Sequence, residues 1–294
     1  MASQIVLISG CSSGIGLATA VFLAKDADKR FKVYATMRNL AKKGQLEEEG
    51  KDCLGDTLII KQMDVCSDES VEKAVKEVLD AEGRIDVLFN NAGYGFFSAL
   101  ECVPISMAQD MFNVNFFGTL RLIKAVLPSM KARQSGHIIN HSSVGGIVGT
   151  PFVDIYCASK FAVEGLSESL APLLWQFDIR CTILETGPVQ SQIHQTGVDW
   201  GKAIDHDTAD EKTKKLKEIW GENFLQLCSE KMETNEMAAF IKGIILGQNT
   251  NFRCYSHSDF LADQIAAKFK DPATNELIEI TSKQLFEKRE DGNK

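Results

Sequence analysis

Residues 5–24 read IVLISGCSSGIGLATAVFLA, and this stretch decides the fold. Ile5–Ser9 is an apolar run of strand length, and the segment from Leu17 onward is helix-like. Between them stand Gly10, Gly14 and Gly16. The spacing is G-x-x-x-G-x-G, not the G-x-G-x-x-G of the usual dinucleotide fingerprint. The physical demand is the same: a tight turn, close backbone approach to a pyrophosphate, and an anion at a helix N-terminus. Ser12, Ser13 and Ile15 share the loop, and the Ser12 hydroxyl adds a donor. Glycines placed directly between an apolar strand and a helix point to nucleotide binding.

The alternation continues beyond this stretch. Apolar runs recur at Lys32–Thr36, Leu58–Met63, Val87–Asn90, His137–Asn140 and Ile179–Leu184, with a weaker one at Phe252–Tyr255. Helix-like segments lie near 15–26, 68–82, 106–132 and 154–175. Such alternation reads as βαβ units and a parallel sheet. The strands are nearly all apolar, as helices on both faces require. Right-handed crossovers then predict a doubly wound, Rossmann-type α/β sheet of about seven strands. A length of 294 residues would suit about two domains at roughly 150 residues each. No Gly/Ser linker, repeat or low-complexity tract divides the chain, so a single domain over 1–294 is expected. Residues 190–232 read as a helical insertion after the sixth strand, on the substrate side, and 251–294 as a C-terminal extension. The insertion scatters Ile193, Trp200, Ile204, Leu216, Trp220 and Phe224 among charges, and its run Asp210–Lys217 predicts a solvated helix face.

Composition narrows the function classes. Hydrophobic residues at 44% and charged residues at 24% are ordinary for a globular chain. Lys+Arg 32 against Asp+Glu 40 gives −8, a poor balance for gripping a phosphate backbone, so no nucleic-acid partner is expected. The eight cysteines form no C-x-x-C pair, so reduced thiols and no metal site are expected. The N-terminus MASQIVLISG has no basic n-region, and no run of about 18 apolar residues occurs. A cytoplasmic chain without a transmembrane segment is the expectation.

The second strand, in KVYATMRN, carries no Asp or Glu to hold a ribose 2′-hydroxyl. It ends at Arg38, 22 residues past Gly16. A guanidinium there suits a 2′-phosphate, and the expected cofactor is NADP(H).

Residues 136–170 read GHIINHSSVGGIVGTPFVDIYCASKFAVEGLSESL. Tyr156 and Lys160, four apart, share a helix face. Ser143 precedes Tyr156 by thirteen residues, at the C-terminal end of a strand, where open α/β sheets place ligands. Ser142 is the alternative serine, and His141 beside it reads as a strand-end residue. Together with S-G-x-x-x-G-I-G and Asn90-Asn91-Ala92-Gly93, this order resembles the short-chain dehydrogenase/reductase family over at least residues 4–191. Stretches such as FKVYATMRNL, MDVCSDESV and NFFGTLRLIKAVLPSMK are similar to its 17β-hydroxysteroid and photoreceptor retinol dehydrogenase branch, and a weaker likeness runs to Phe286.

The resemblance implies roles. Tyr156 would be the general acid/base, Lys160 would lower its pKa and grip the nicotinamide ribose, and Ser143 would hydrogen-bond the substrate oxygen. Asn115, in MFNVNFFGT, matches the family's fourth active-site residue, which shapes a helix bend. The chemistry needs such a set, because hydride transfer to a carbonyl calls for a proton donor at the developing alkoxide. Bringing a tyrosine down by about three pH units takes roughly 4 kcal/mol. The likeness also places Asp64 and Val65 at the adenine, and Asn90, Ala92 and Gly93 behind the adenosine ribose. Val189 and Ser191 fall at the carboxamide, with Thr186 where proline is common and Ser191 in place of threonine.

A bulky apolar alcohol or ketone, steroid or retinoid, is the implied substrate, meeting Ser143 and Tyr156. Trp200, Trp220 and Phe224 either lid its pocket or pack the insertion's helices together. Steroid-handling members read a far hydroxyl with a His and a C-terminal Glu. Here no His lies between Asp207 and Ser256, and Gln284 stands at the position resembling that Glu. A homodimer through the helices near 106–132 and 154–175 is also implied. A cofactor-binding sensor without turnover, or an epimerase or dehydratase, would use the same fold. The intact Ser–Tyr–Lys set argues against both.

Overall fold

Every run of apolar residues singled out in the sequence is a strand in the computed structural model, which describes residues 3–191, 197, 201, 204–205, 207–257, 259–271 and 273–287. The strands are β1 (Gln4–Ile8), β2 (Phe31–Met37), β3 (Leu58–Gln62), β4 (Val87–Asn90), β5 (Gly136–His141), β6 (Ile179–Glu185) and β7 (Arg253–Tyr255). They form one parallel sheet in the order β3-β2-β1-β4-β5-β6-β7. The order reverses between β1 and β4, which opens a crevice at their C-terminal ends.

The helices are α1 (Gly14–Ala24), α2 (Gly44–Glu49), α3 (Asp68–Glu82), α4 (Ile105–Phe112), α5 (Gly118–Arg133), α6 (Asp154–Trp175), α7 (Glu211–Leu227), α8 (Thr234–Ile245), α9 (Ala262–Lys270) and α10 (Asn275–Phe286). Pleating explains why β1 must be apolar throughout. Val6 and Ile8 join a layer with Leu17 and Ala20 of α1 and Met237 and Ile241 of α8. Ile5 and Leu7 face Val71, Val75 and Val78 of α3 and Leu122 and Val126 of α5. Local signals agree with these positions. The Ser67 hydroxyl accepts from the Ser70 N–H at the start of α3, and Gly83 closes that helix at φ 71°.

Two departures from the sequence expectation matter. The helix expected over 106–132 is two helices joined by a π turn, Asn113–Phe117. There the Thr119 hydroxyl donates to the Asn115 carbonyl at 3.0 Å, and the widened turn re-aims the Asn115 side chain. The second departure is α8, a segment left unassigned by the sequence reading although a Glu233/Glu236 capping box opens it. Met237, Ile241, Ile244 and Ile245 are its buried stripe, packed against α1. In the insertion, α7 starts at Asp210, whose carboxylate accepts from the Lys212 and Thr213 N–H groups. Ile193 and Trp200 lie outside the described residues. Among the described residues no helix is long and apolar enough to cross a membrane.

Candidate active site

The glycine loop shows why glycine is needed. A Cβ on Gly10, at φ +74°, would lie 2.8 Å from Ala92 Cα, and one on Gly16 would lie 2.4 Å from the Gly10 carbonyl oxygen. The loop is therefore pressed against the end of β4. Asn91 fastens the two together: its amide donates to the Ser9 carbonyl at 2.9 Å and the Gly10 carbonyl at 3.1 Å. The Ser9 hydroxyl in turn accepts from the Asn91 and Ala92 N–H groups, each at 3.0 Å. Ser9 was not singled out from the sequence, and Asn91 entered there only as part of the Asn90–Gly93 motif, with no role of its own.

Ser13 precedes α1 with extended backbone and no side-chain cap bond, and no acid stands in the first turn. Its leading N–H groups and helix dipole stay available to an anion. Ser12 and Ile15 are half-buried on this loop, and Ser191 reaches over it, its Cβ 3.3 Å from where a Gly14 side chain would begin. Val189 is buried and bridges to Met232.

Arg38 is exposed just past β2, and no ion pair holds its guanidinium among the described residues. One Asp64 carboxylate oxygen takes the Cys66 N–H at 2.9 Å. Val65 is buried, with its carbonyl on Arg121 at 3.2 Å. The Asn90 amide nitrogen donates to Asn140 Oδ1 at 2.8 Å inside the sheet, while Asn90 Oδ1 is buried without a partner among the described residues.

The catalytic candidates gather around Gly93-Tyr94-Gly95. A Cβ on Gly93 would lie 3.2 Å from Asn115 Oδ1 and 3.5 Å from Lys160 Nζ, and one on Gly95 would lie 2.9 Å from the Tyr156 ring. From Gly145 the same construction gives 3.5 Å to both Ser143 Oγ and Tyr156 Cε1. Ser143, Tyr156, Lys160 and Asn115 are thus neighbours. Asn115, 1% exposed, accepts from the Tyr94 N–H at 3.0 Å and donates to the Tyr94 carbonyl and Ser159 Oγ, each at 2.9 Å. The Ser143 hydroxyl accepts from the Gly145 N–H at 3.1 Å. The alternative, Ser142, is fully buried on the Glu164 side, because the glycine at 146 leaves room for both side chains there.

Burial governs the charges. It pushes the Tyr156 phenol up to about 12, opposed by the Ser143 hydroxyl. It brings Lys160 down to about 8, opposed by Glu164. Lys160 Nζ donates to the His141 carbonyl at 2.8 Å and lies 5.6 Å from the centre of the Tyr156 ring. Burial, then Lys160, holds His141 down at about 3, so its ring is neutral. With Asn91 Oδ1 at 3.2 Å from Nδ1 and the Thr186 hydroxyl at 3.1 Å from Nε2, Nδ1 carries the proton and Nε2 accepts. The residue read as a mere strand end is a hub joining β4, β5 and β6.

Behind Lys160 lies an ionic cluster the sequence reading missed. Arg253 of β7 pairs with Glu164 and with Glu185, the latter at 2.6 Å. Burial, then Glu164, pushes Glu185 up to about 7. The available signal was Y-x-x-x-K-x-x-x-E, which puts Glu164 on the face of Tyr156 and Lys160.

The short chain dehydrogenase family profile matches residues 4–201. This chain belongs to the short-chain dehydrogenase family. Retinol dehydrogenase 8 of Bos taurus is 52% identical over 191 residues, which are 65% of this chain and 61% of that one. Estradiol 17-beta-dehydrogenase 1 of Rattus norvegicus is 38% identical over 288 residues, 97% of this chain and 83% of that one. A short-chain dehydrogenase from Streptomyces avermitilis superposes with a TM-score of 0.73 at 28% identity, covering 95% of this chain and 96% of its own. Short-chain dehydrogenases are oxidoreductases that act with a nicotinamide dinucleotide.

In this short-chain dehydrogenase the insertion helix α7 joins an aromatic group. Trp220 stacks on Phe224 at 4.8 Å, with Phe97 at 5.6 Å and Phe152 at 5.5 Å. Phe286 of α10 meets Phe152 at 6.2 Å. Gln284 hydrogen-bonds Gln264 of α9.

Proposed function

We propose that this chain is an NADP(H)-dependent oxidoreductase that interconverts a bulky apolar alcohol, steroid or retinoid in class, and its ketone or aldehyde. The observation that carries the reading is the Tyr156 phenol grouped with the Ser143 hydroxyl and the Lys160 ammonium, next to the β4 end against which the glycine loop of uncapped α1 is pressed.

The residues present fit a dinucleotide. Glycine at 10 and 16 lets the loop press against the end of β4, and the N-terminus of α1 that follows carries no side-chain cap. The first-turn N–H groups of α1 would take the pyrophosphate, and Arg38, free of any carboxylate at the end of β2, a 2′-phosphate. Asp64 would accept from the adenine amine with the carboxylate oxygen that Cys66 leaves open. Ala92, Gly93 and the Asn90 backbone would back the ribose, and Val189 and Ser191 would meet the carboxamide. When bound, the reduced nicotinamide supplies the hydride.

The remaining work falls to side chains. Ser143 donates to the substrate oxygen and orients it towards Tyr156. As the carbonyl becomes an alkoxide, the Tyr156 hydroxyl gives up its proton, and in oxidation the phenolate takes one back. Lys160 stabilises that phenolate, against a burial that otherwise disfavours it. Asn115, clamped to Tyr94 and Ser159, holds the π turn against the Gly93–Gly95 segment.

A homodimer through α4, α5 and α6 goes with this reading. Ile105 at 74% exposure, Phe117, Leu173 and Trp175 at 80% present large apolar side chains on those elements. NADPH consumption with a panel of retinals and steroid ketones tests the function. Tyr156→Phe is expected to abolish turnover while NADPH still binds. Turnover that survives the change overturns the scheme.

A further inference from the structure

Trp220 is 4% exposed, yet its indole N–H has no acceptor among the described residues. A buried donor without a partner is rare and unfavourable, since water is excluded and nothing replaces it. The Trp220 indole is ringed by Phe97, Phe152 and Phe224. Two of these rings belong to segments that touch the catalytic phenol. Phe97 lies two residues past Gly95, which abuts the Tyr156 ring, and Phe152 packs in one apolar cluster with Tyr156. Phe97 and Phe152 therefore connect the cage to the segments around Tyr156, and the indole N–H is a buried, unpartnered donor among its rings.

The neighbouring helix repeats the pattern. Thr281 Oγ, on α10, is also buried without a partner among the described residues. One turn later the Leu285 carbonyl accepts from Asn223 of α7, three residues from Trp220. Gln264 and Gln284 satisfy each other instead.

We propose that the Trp220 indole N–H determines specificity by donating to an oxygen on the substrate, at the end of its apolar body remote from the reacting carbon. The favoured substrate then carries two oxygen functions, one at Tyr156 and one at Trp220. An indole only donates, so the remote group is an acceptor, a hydroxyl, ketone or ether. The rings suit a flat, rigid body between the two ends. A substrate whose far end is bare hydrocarbon leaves the donor buried and unpaired, and sites built to hydrogen-bond discriminate strongly against such analogues. The proposal rests on the oxidoreductase reading above and narrows its substrate class.

The test uses matched pairs differing only in that oxygen: estrone against 3-deoxyestrone, and 3-hydroxyretinal against retinal, each with NADPH. The oxygen-bearing member is expected to be favoured about ten- to a hundredfold in kcat/KM, within whichever pair turns over. Trp220→Phe keeps a ring and removes the donor, and should collapse that ratio towards one. Equal kcat/KM in the wild type, or an unchanged ratio in Trp220→Phe, overturns the proposal and leaves the oxidoreductase reading standing. Turnover of none of the four fails the oxidoreductase reading and this proposal with it.

A second measurement needs no variant. In the 15N-indole-labelled wild type, one of the three indole signals should move on adding estradiol with NADP⁺ but not on adding 3-deoxyestradiol. Identical responses to the two overturn the proposal.

Discussion

Lys160→Met is the perturbation that weighs the cation against the phenol. The Lys160 ammonium lies 5.6 Å from the centre of the Tyr156 ring and is 4% exposed. At an effective dielectric constant of about 20, a unit charge at that separation stabilises a phenolate by about 3 kcal/mol. That is about two pH units, or roughly a hundredfold in the ionised fraction. Burial already pushes Tyr156 up to about 12, so without the cation the phenolate needed for alcohol oxidation is rarer still. Methionine keeps most of the stem's volume and needs no partner, and uncharged replacements of buried cations are tolerated. The expected result in the oxidation direction is a kcat about a hundredfold lower at neutral pH. Its rise with pH should be displaced about two units upward. Initial rates followed by NADPH absorbance across pH, with a melting curve to verify the fold, measure both. A folded variant whose kcat profile overlays the wild type, with all of the loss in KM, would refute the electrostatic role and leave Lys160 as a ribose clamp.

Two other substitutions probe the outer parts of the site. Arg38→Asp should weaken NADPH about ten- to a hundredfold, the range of a charge-assisted pair lost to like-charge repulsion, and turn preference towards NADH. Equal wild-type KM values for the two cofactors would sink the 2′-phosphate assignment. Glu185 is raised from its ordinary value of 4.5 to about 7, mainly by burial. Its neutral form therefore favours the fold, with a contribution complete below about 4.5 and lost as pH rises through about 7. Glu185→Gln should flatten the fall in Tm across that window, and a wild-type-like slope in the variant would show that other groups cause it.

Much of this was legible in the residues. All seven strands lie on the apolar runs, and α3 and α6 have the expected bounds, because periodicity and caps are local properties. Asn115 was identified as a helix-bending residue, yet the π turn that bends the helix was not, since it depends on a contact with Tyr94 from a distant segment. His141 illustrates the same limit more sharply. Nothing in NHSSV distinguishes a strand-end histidine from one bridging Asn91 and Thr186. Asn90 was placed at the ribose with no hint that Asn140, fifty residues on, takes its amide.

What the sequence determined by itself was the scaffold and which of the candidate side chains share a face of it. A glycine-bearing turn between an apolar strand and a helix points to nucleotide binding, and a tyrosine and lysine one turn apart must share a face. Tertiary structure decided the environment of those groups. It buried Lys160 and part of Tyr156, which moves both, set Arg253 between two carboxylates behind them, and left the Trp220 N–H without an acceptor among the described residues. Those are properties of segments brought together from far along the chain. Desolvation and pairing are set by which residues surround a group in space, and local sequence does not encode that.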